Sequence, residues 1–165
     1  MKQIITIILL SVFIYSCGIY SFTGASISTE AKTVSITYFK TTATNAPSSL
    51  QETITEGLKD LILSETNLNL TELDGDLIFT GEITNYQITP IAIKANEKVE
   101  KNRLIIDIKV NHKNHFDEKQ NFHSAFSRYR DFNSSENLSD VESILIEEIT
   151  KELLEDIFNK TFVNW

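Results

Sequence analysis

The chain of 165 residues carries a formal net charge of −8, with 23 acidic residues against 15 basic ones. This balance argues against a nucleic-acid-binding protein and against electrostatic attachment to anionic lipid headgroups, because both need clustered positive charge. The single cysteine excludes an internal disulfide framework and a cysteine-based zinc site, so apolar burial must stabilise the fold. The length suits one domain.

The first eighteen residues, MKQIITIILLSVFIYSCG, are typical of a bacterial export signal. Lys2 provides a positive start, residues 4–13 form an apolar run, and the small residue Ser16 precedes Cys17. The apolar run is too short to span a bilayer, which requires roughly 20 residues. The residues before Cys17 resemble a lipobox, in which the cysteine thiolate is the nucleophile that receives a diacylglycerol group. We therefore predict a lipoprotein signal peptide over 1–16 and a lipidated N-terminus at Cys17.

An ordinary signal peptide that leaves Cys17 as a free thiol is the alternative, but an unpaired cysteine is a liability in an exported protein. Lipidation adds two or three acyl chains, such as palmitate, and these anchor a protein firmly where a single chain does not. The prediction for this protein is therefore attachment to a membrane through lipid.

A leader, a strand and a helix are predicted next along the chain. Residues 17–31 are rich in Gly, Ser and Thr and indicate an extended leader before a domain over 32–165. The segment KTVSITYF at 32–39 alternates apolar and polar residues, as a half-buried strand does. Pro47 suits the first helical position, and Gly57 would let the helix pack closely on a sheet. The apolar stripe of this helix consists of Leu50, Ile54, Leu58, Leu61 and Ile62.

Three more strands are predicted in the second half of the chain. A turn at 74–76 precedes a strand from Leu77 to about Pro90, in which Gly81 indicates a bulge or a close approach. The charged segment 94–101 is typical of a long hairpin connection. Alternation over 103–110 and over 122–132 predicts the last two strands. A right-handed crossover through the helix would make the first two strands parallel neighbours.

A second helix is predicted at the C-terminus. Ser139 and Glu142 have the spacing of a capping box, which indicates a helix start. An apolar stripe follows to about residue 159. The last residues include Phe158, Phe162 and Trp165, which we expect to pack on the sheet or to contact a partner. These elements predict an α+β fold in which two helices pack on a four-stranded mixed sheet, in the order strand, helix, strand, strand, strand, helix.

The sequence contains no catalytic motif such as a nucleophile elbow, a phosphate-binding loop or a zinc-protease helix, so we predict no enzymatic activity and no cofactor. His112, His115 and His123 flank the last hairpin, but alternation places His112 and His123 on opposite faces, so no metal site is expected. Acidic residues line one face of the second helix, and we interpret this as a solvated face: they are Glu148, Glu152 and Asp156.

Positive charge on the predicted sheet is concentrated in a few residues. For each one, an ordinary solvated role is the simplest interpretation. Together they could bind phosphate oxygens, because guanidinium and ammonium groups are the usual ligands of such anions. The four candidates are Arg103, Lys109, Arg128 and Arg130.

The order of these elements behind a lipidated cysteine resembles the LptE family of lipopolysaccharide-assembly lipoproteins. The segments that carry the resemblance are CGIYSFTG at 17–24, KTVSITYF at 32–39, LQETITEGLKDLILSETNLNL at 50–70, GDLIFTGEITNYQITPIAI at 75–93 and EDIFNKTFVNW at 155–165. They cover most of the mature chain, and their joint order matters more than any one of them. Of the family's functional positions, only the lipidated Cys17 is matched.

The resemblance implies a non-enzymatic lipoprotein on the periplasmic side of the outer membrane. It also implies an LptD-type β-barrel as partner, which the protein would plug and help to assemble, and lipopolysaccharide as a ligand. Two alternatives remain open: a lipoprotein that regulates another envelope partner, such as a cell-wall synthase or a secretion pore, and a lipid carrier with its own cavity.

Overall fold

A computed structural model describes residues 30–91 and 100–163. The predictions for the signal peptide, for Cys17 and for most of the leader lie outside the described residues. So do the prediction for Trp165 and most of the predicted hairpin connection at 94–101.

The described chain folds into two α-helices and a six-stranded mixed sheet, which confirms the α+β class. A short 3₁₀ turn at Glu118–Gln120 connects the last two strands. The elements in chain order are β1 (Thr33–Ile36), β2 (Lys40–Thr41), α1 (Ser48–Glu65), β3 (Asn69–Thr71), β4 (Leu77–Ile91), β5 (Lys101–Asn114), β6 (Phe122–Asn133) and α2 (Leu138–Phe162).

The strands lie in the order β3-β1-β4-β5-β6, and β2 also pairs with β4. β1 is parallel to both β3 and β4, which confirms the predicted parallel pairing across the first helix. β4, β5 and β6 form an antiparallel meander. The sheet is therefore parallel on one side and antiparallel on the other.

The two short strands β2 and β3 were not predicted, and the strand predicted at 32–39 ends at Ile36, before β2 begins at Lys40. Between β1 and β2, the backbone of Phe39 binds α1 and not a strand: its N–H donates to Thr55 Oγ1 (3.0 Å) and its carbonyl accepts from Gln51 Nε2 (3.1 Å). The ring of Phe39 is buried over Gly81, where an added Cβ would lie 2.0 Å from a ring atom. Gly81 is therefore the expected close approach, and the bulge of β4 lies after it, between Ile83 and Asn85.

Both helices lie on the same side of the sheet, which we call the helix face; the opposite side is the outer face. Alternate residues of β5 are fully buried on the helix face, whereas their neighbours on the outer face are partly exposed. Each fully buried aliphatic side chain of this kind stabilises the fold by about 1.5–3 kcal/mol. The central buried residues are Phe79, Leu104, Ile106, Ile108 and Val110 of the sheet, Leu50, Ile54, Leu58 and Ile62 of α1, and Ile149, Leu153 and Ile157 of α2.

Two local predictions are wrong. Gly57 faces α2 and not the sheet, because a Cβ there would lie 2.7 Å from Leu154 Cδ1; the missing side chain lets the two helices approach each other. The capping box does not form either, since α2 begins at Leu138 without a side-chain cap. The carboxylate of Glu142 instead accepts a hydrogen bond from the Tyr86 hydroxyl (2.5 Å), and burial together with this bond raises the pKa of Tyr86.

His112 is a buried titratable residue of the helix face. Its imidazole lies between the rings of Phe79 and Phe122, with centroid separations of 4.5 and 5.2 Å, and only 3% of the residue is exposed. Burial disfavours the charged form and lowers the pKa of His112 to about 4. The residue is therefore a neutral core histidine at pH 7.

This burial predicts acid sensitivity of the fold. The folded-state pKa of His112 lies below the unfolded-state value. The contribution of the neutral imidazole to the free energy of unfolding is therefore complete above about pH 6.5 and is lost as the pH falls towards 4. The loss amounts to about 3 kcal/mol. We therefore compare the free energy of urea unfolding at pH 7 and at pH 4. Between these pH values it should fall less in His112→Leu than in the parent, by about this amount. Equal losses in the two proteins would show that His112 is not buried as described.

Candidate functional site

The four basic residues of the sheet lie on two different faces. On β5, Arg103 and Lys109 alternate with the buried residues and therefore project from the outer face. On β6, Arg128 is opposite Ile106 and Arg130 is opposite Leu104, which places both arginines on the helix face. The four side chains therefore do not form one cluster.

Arg128 and Arg130 form ion pairs with α2. Arg128 binds Asp156 through two bonds, Nε to Oδ2 (2.7 Å) and Nη2 to Oδ1 (2.6 Å). Arg130 bridges two carboxylates, with Nε 2.8 Å from Glu148 Oε2 and Nη2 2.5 Å from Glu152 Oε1. The three acidic residues are thus not simply a solvated face, as the sequence was interpreted: they pair with β6.

We call these contacts the ion-pair ladder; it shifts the pKa of Arg128, Arg130 and Glu152. The hydrogen bond that Arg128 donates to Asp156 raises the pKa of Arg128, and the bonds that Arg130 donates to Glu152 and Glu148 raise the pKa of Arg130. In return, the hydrogen bond from Arg130 lowers the pKa of Glu152. The two arginines are therefore already occupied by carboxylates.

Arg103 is also paired, but on the outer face. Its guanidinium donates to both oxygens of Asp131 (2.7 and 3.0 Å) and lies 3.7 Å from the centroid of the Tyr129 ring. The hydrogen bond from Arg103 lowers the pKa of Asp131. Because about half of Tyr129 is exposed, this group presents an aromatic surface next to a neutralised charge pair.

Lys109 lies in a shallow depression of the outer face with a volume of about 310 Å³. Cross-strand pairing places Lys40 next to Glu82 and Glu82 next to Lys109, so two ammonium groups flank one carboxylate. Further lining residues are Thr37, Tyr38, Thr80, Asn111 and His123. Within the described residues, neither lysine forms an ion pair. Two ammonium groups with hydroxyl and amide groups around them can bind a phosphate or a phosphorylated sugar, and the carboxylate of Glu82 between them offsets part of their attraction.

The aromatic residues predicted to contact a partner are mainly internal. Phe162 is buried, with its ring centroid 6.4 Å from that of Phe79 and 4.9 Å from that of Phe158. Phe158 is partly buried against the same core. The contact of these residues and of Trp165 with a partner stays a prediction.

Within 30–91 and 100–163, no group of three or more His, Cys, Asp or Glu side chains is arranged to hold a metal ion. His112 lies on the helix face, whereas His123 projects from the outer face and contacts Asn111. None of the helices in these ranges is both long enough and apolar enough to cross a membrane.

The fold and these side chains define a two-layer α+β domain with a helix-covered face and a polar outer face. The family model described as LptE, Lipopolysaccharide-assembly, matches residues 31–161, and the chain belongs to this family. Its members are lipoproteins that act in lipopolysaccharide assembly without enzymatic activity and are associated with the outer membrane. The resemblance seen in the sequence is therefore confirmed.

Solved structures with the same fold have very different sequences. A putative neuraminyllactose-binding hemagglutinin homolog from Helicobacter pylori is 9% identical with a TM-score of 0.53, over 86% of this chain and 88% of that one. The hypothetical protein CT253 from Chlamydia trachomatis is 12% identical with a TM-score of 0.51, over 81% and 99%. A minor lipoprotein from Acinetobacter baumannii is 13% identical over 79% and 90%, and with a TM-score of 0.47 it is less similar in structure. No curated protein matches.

The ion-pair ladder predicts a small, salt-dependent contribution to stability. The Arg128 and Asp156 side chains are partly exposed, so water and salt screen their attraction. A double-mutant cycle with Arg128→Met and Asp156→Ala, measured by urea unfolding, should give a coupling energy of at most about 1 kcal/mol that decreases in high salt. A coupling of several kcal/mol would instead mean that this pair holds α2 on the sheet.

Proposed function

We propose that this protein is an outer-membrane lipoprotein that plugs an LptD-type β-barrel and supports its assembly for lipopolysaccharide export. Acyl chains on Cys17 would hold it at the periplasmic side of the membrane. The observation that carries this proposal is the match to the LptE family over residues 31–161, which includes nearly all described residues.

The outer face supports the proposal of a plug. The lumen of a transmembrane β-barrel is polar, so a domain seated there needs a polar surface around an apolar core. Here the helices cover the apolar side of the sheet, and the outer face carries hydroxyl, amide and charged groups. Its members include Thr80, Glu82, Gln87, Thr89, Arg103, Asp107, Lys109 and Asn111.

Contact with lipopolysaccharide is the finer part of the proposal. Lys109, with its neighbour Lys40, is best suited, because both ammonium groups lie in an open depression without an ion-pair partner among the described residues. The guanidinium of Arg103 could bind a phosphate only after its two hydrogen bonds to Asp131 break. Arg128 and Arg130 would have to exchange carboxylates of α2 for phosphates, so we rank them last.

The apolar C-terminal residues remain part of the proposed partner contact. Phe158 is partly accessible and is the described candidate, whereas Phe162 could take part only by supporting Phe158 from within the core. Trp165, at the end of the sequence, is the third candidate.

The proposal predicts which partner co-purifies with the protein after extraction from native outer membranes with mild detergent. The parent should co-purify with a large β-barrel protein, identified by mass spectrometry. Cys17→Ser should lower the membrane-bound fraction without unfolding the domain, because attachment depends on acyl chains. Ser21→Ala, in the same leader, should behave as the parent.

Two results would contradict the proposal. Recovery of the protein alone, or with a cell-wall synthase or a secretion pore and no barrel, would favour the regulatory alternative. A Cys17→Ser protein that is processed and still firmly bound to the membrane would overturn the lipid anchor.

A further inference from the structure

The edges of the sheet are not all protected in the same way. An edge strand exposes backbone N–H and C=O groups that can pair with another extended chain, and folds commonly block such edges. Within the described residues, the open edges are β3, the part of β4 beyond β2, and β6. β3 is only three residues long, which leaves little to pair with.

The open part of β4 is blocked by a proline. β2 ends at Thr41, and the last bond to it is from Thr42 N–H to the Ile83 carbonyl (3.0 Å). Beyond the bulge, the alternation of the antiparallel ladder turns the backbone groups of Tyr86, Ile88 and Pro90 away from β5. Pro90 has no N–H, so this edge can accept only a short and incomplete pairing.

The direction of the backbone groups on β6 follows from one hydrogen bond. Ser134 N–H donates to the Glu100 carbonyl (3.0 Å), so these two residues form a hydrogen-bonded pair just beyond the ladder of β5 and β6. Hydrogen-bonded pairs alternate along an antiparallel ladder. The odd-numbered residues therefore direct N–H and C=O away from β5: His123, Ala125, Ser127, Tyr129, Asp131 and Asn133.

Side chains of the same chain occupy part of the C-terminal half of this edge. Arg130 Nη1 donates to the Tyr129 carbonyl (3.0 Å). The Glu136 carboxylate accepts from Asn133 N–H (2.8 Å). Both contacts satisfy outward backbone groups that a neighbouring strand would otherwise use.

The N-terminal half, His123–Ser127, has no such protection among the described residues. Its three outward residues offer three N–H and three C=O groups, and it contains no proline. On the helix face it is flanked by the half-buried rings of Phe122 and Phe126. On the outer face, the side chains of Ala125 and Ser127 are small and leave room for a neighbouring chain.

We propose that His123–Ser127 is a strand-addition edge that accepts an extended segment of a partner protein. The segment pairs with the outward backbone groups and places alternate apolar side chains against Phe122 and Phe126. A second copy of this chain is the less suitable occupant, because two chains of net charge −8 repel each other. The inference goes beyond the proposed function, since strand addition does not require a barrel lumen.

Amide hydrogen exchange of the full mature protein in detergent tests the edge. The probe is a capped seven-residue peptide that alternates Val and Thr and carries Lys at both ends. In the free protein, the amides of His123, Ala125 and Ser127 should exchange fast, and the peptide should slow them about tenfold. A control peptide with Pro at its centre should have no effect, because it cannot complete the ladder.

Ala125→Pro removes one outward N–H without removing a bond to β5, as Pro90 does on β4. It should weaken peptide binding about tenfold, whereas the matched variant Ala125→Thr keeps the N–H and should bind as the parent. The control peptide keeps the test informative if Ala125→Pro does not fold.

Three results would overturn the proposal. One is equal binding of both peptides. Another is protection of the three amides already in the free, monomeric protein, which would mean that another part of this chain covers the edge. The third is protection that rises with protein concentration, which would identify a second copy as the occupant.

Discussion

The two helices cover only one face of the sheet, and this one-sided arrangement determines the role of most other residues. Buried aliphatic residues of β5 share one core with residues of α1 and α2 on the helix face, and a shift of one residue in register would expose all of them. Two arginines also project from this face, and the carboxylates of α2 pair with them. The outer face can therefore be polar, and its depression holds two lysines without ion-pair partners among the described residues.

Much of the fold was predictable because its long elements have strong periodicity. Alternation identified β4, β5 and β6, and the apolar stripes identified both helices. The short strands β2 and β3 were missed because two or three residues show no period. The predicted capping box does not form because of a tertiary contact. The hydroxyl of Tyr86, more than fifty residues away in sequence, donates a hydrogen bond to the carboxylate of Glu142.

The candidate site was predictable as a set of residues but not as a geometry. The sequence identifies Arg103, Lys109, Arg128 and Arg130, but their division between faces depends on strand register. Lys40 was missed because its position next to Glu82 exists only through the unpredicted strand β2. The spacing of the acidic residues on α2 was visible, but nothing in a single sequence shows that two arginines of β6 lie opposite them.

The central claim is that the polar outer face meets the lipopolysaccharide-export machinery. This contact can be tested by photo-crosslinking in cells with a photoreactive residue in place of Lys109, compared with the same residue in place of Lys59, a partly exposed residue of α1. We expect adducts with the barrel protein or with lipopolysaccharide at Lys109 and few or none at Lys59. Adducts at Lys59 with none at Lys109 would contradict it, because the helices and not the outer face would then be the contact surface.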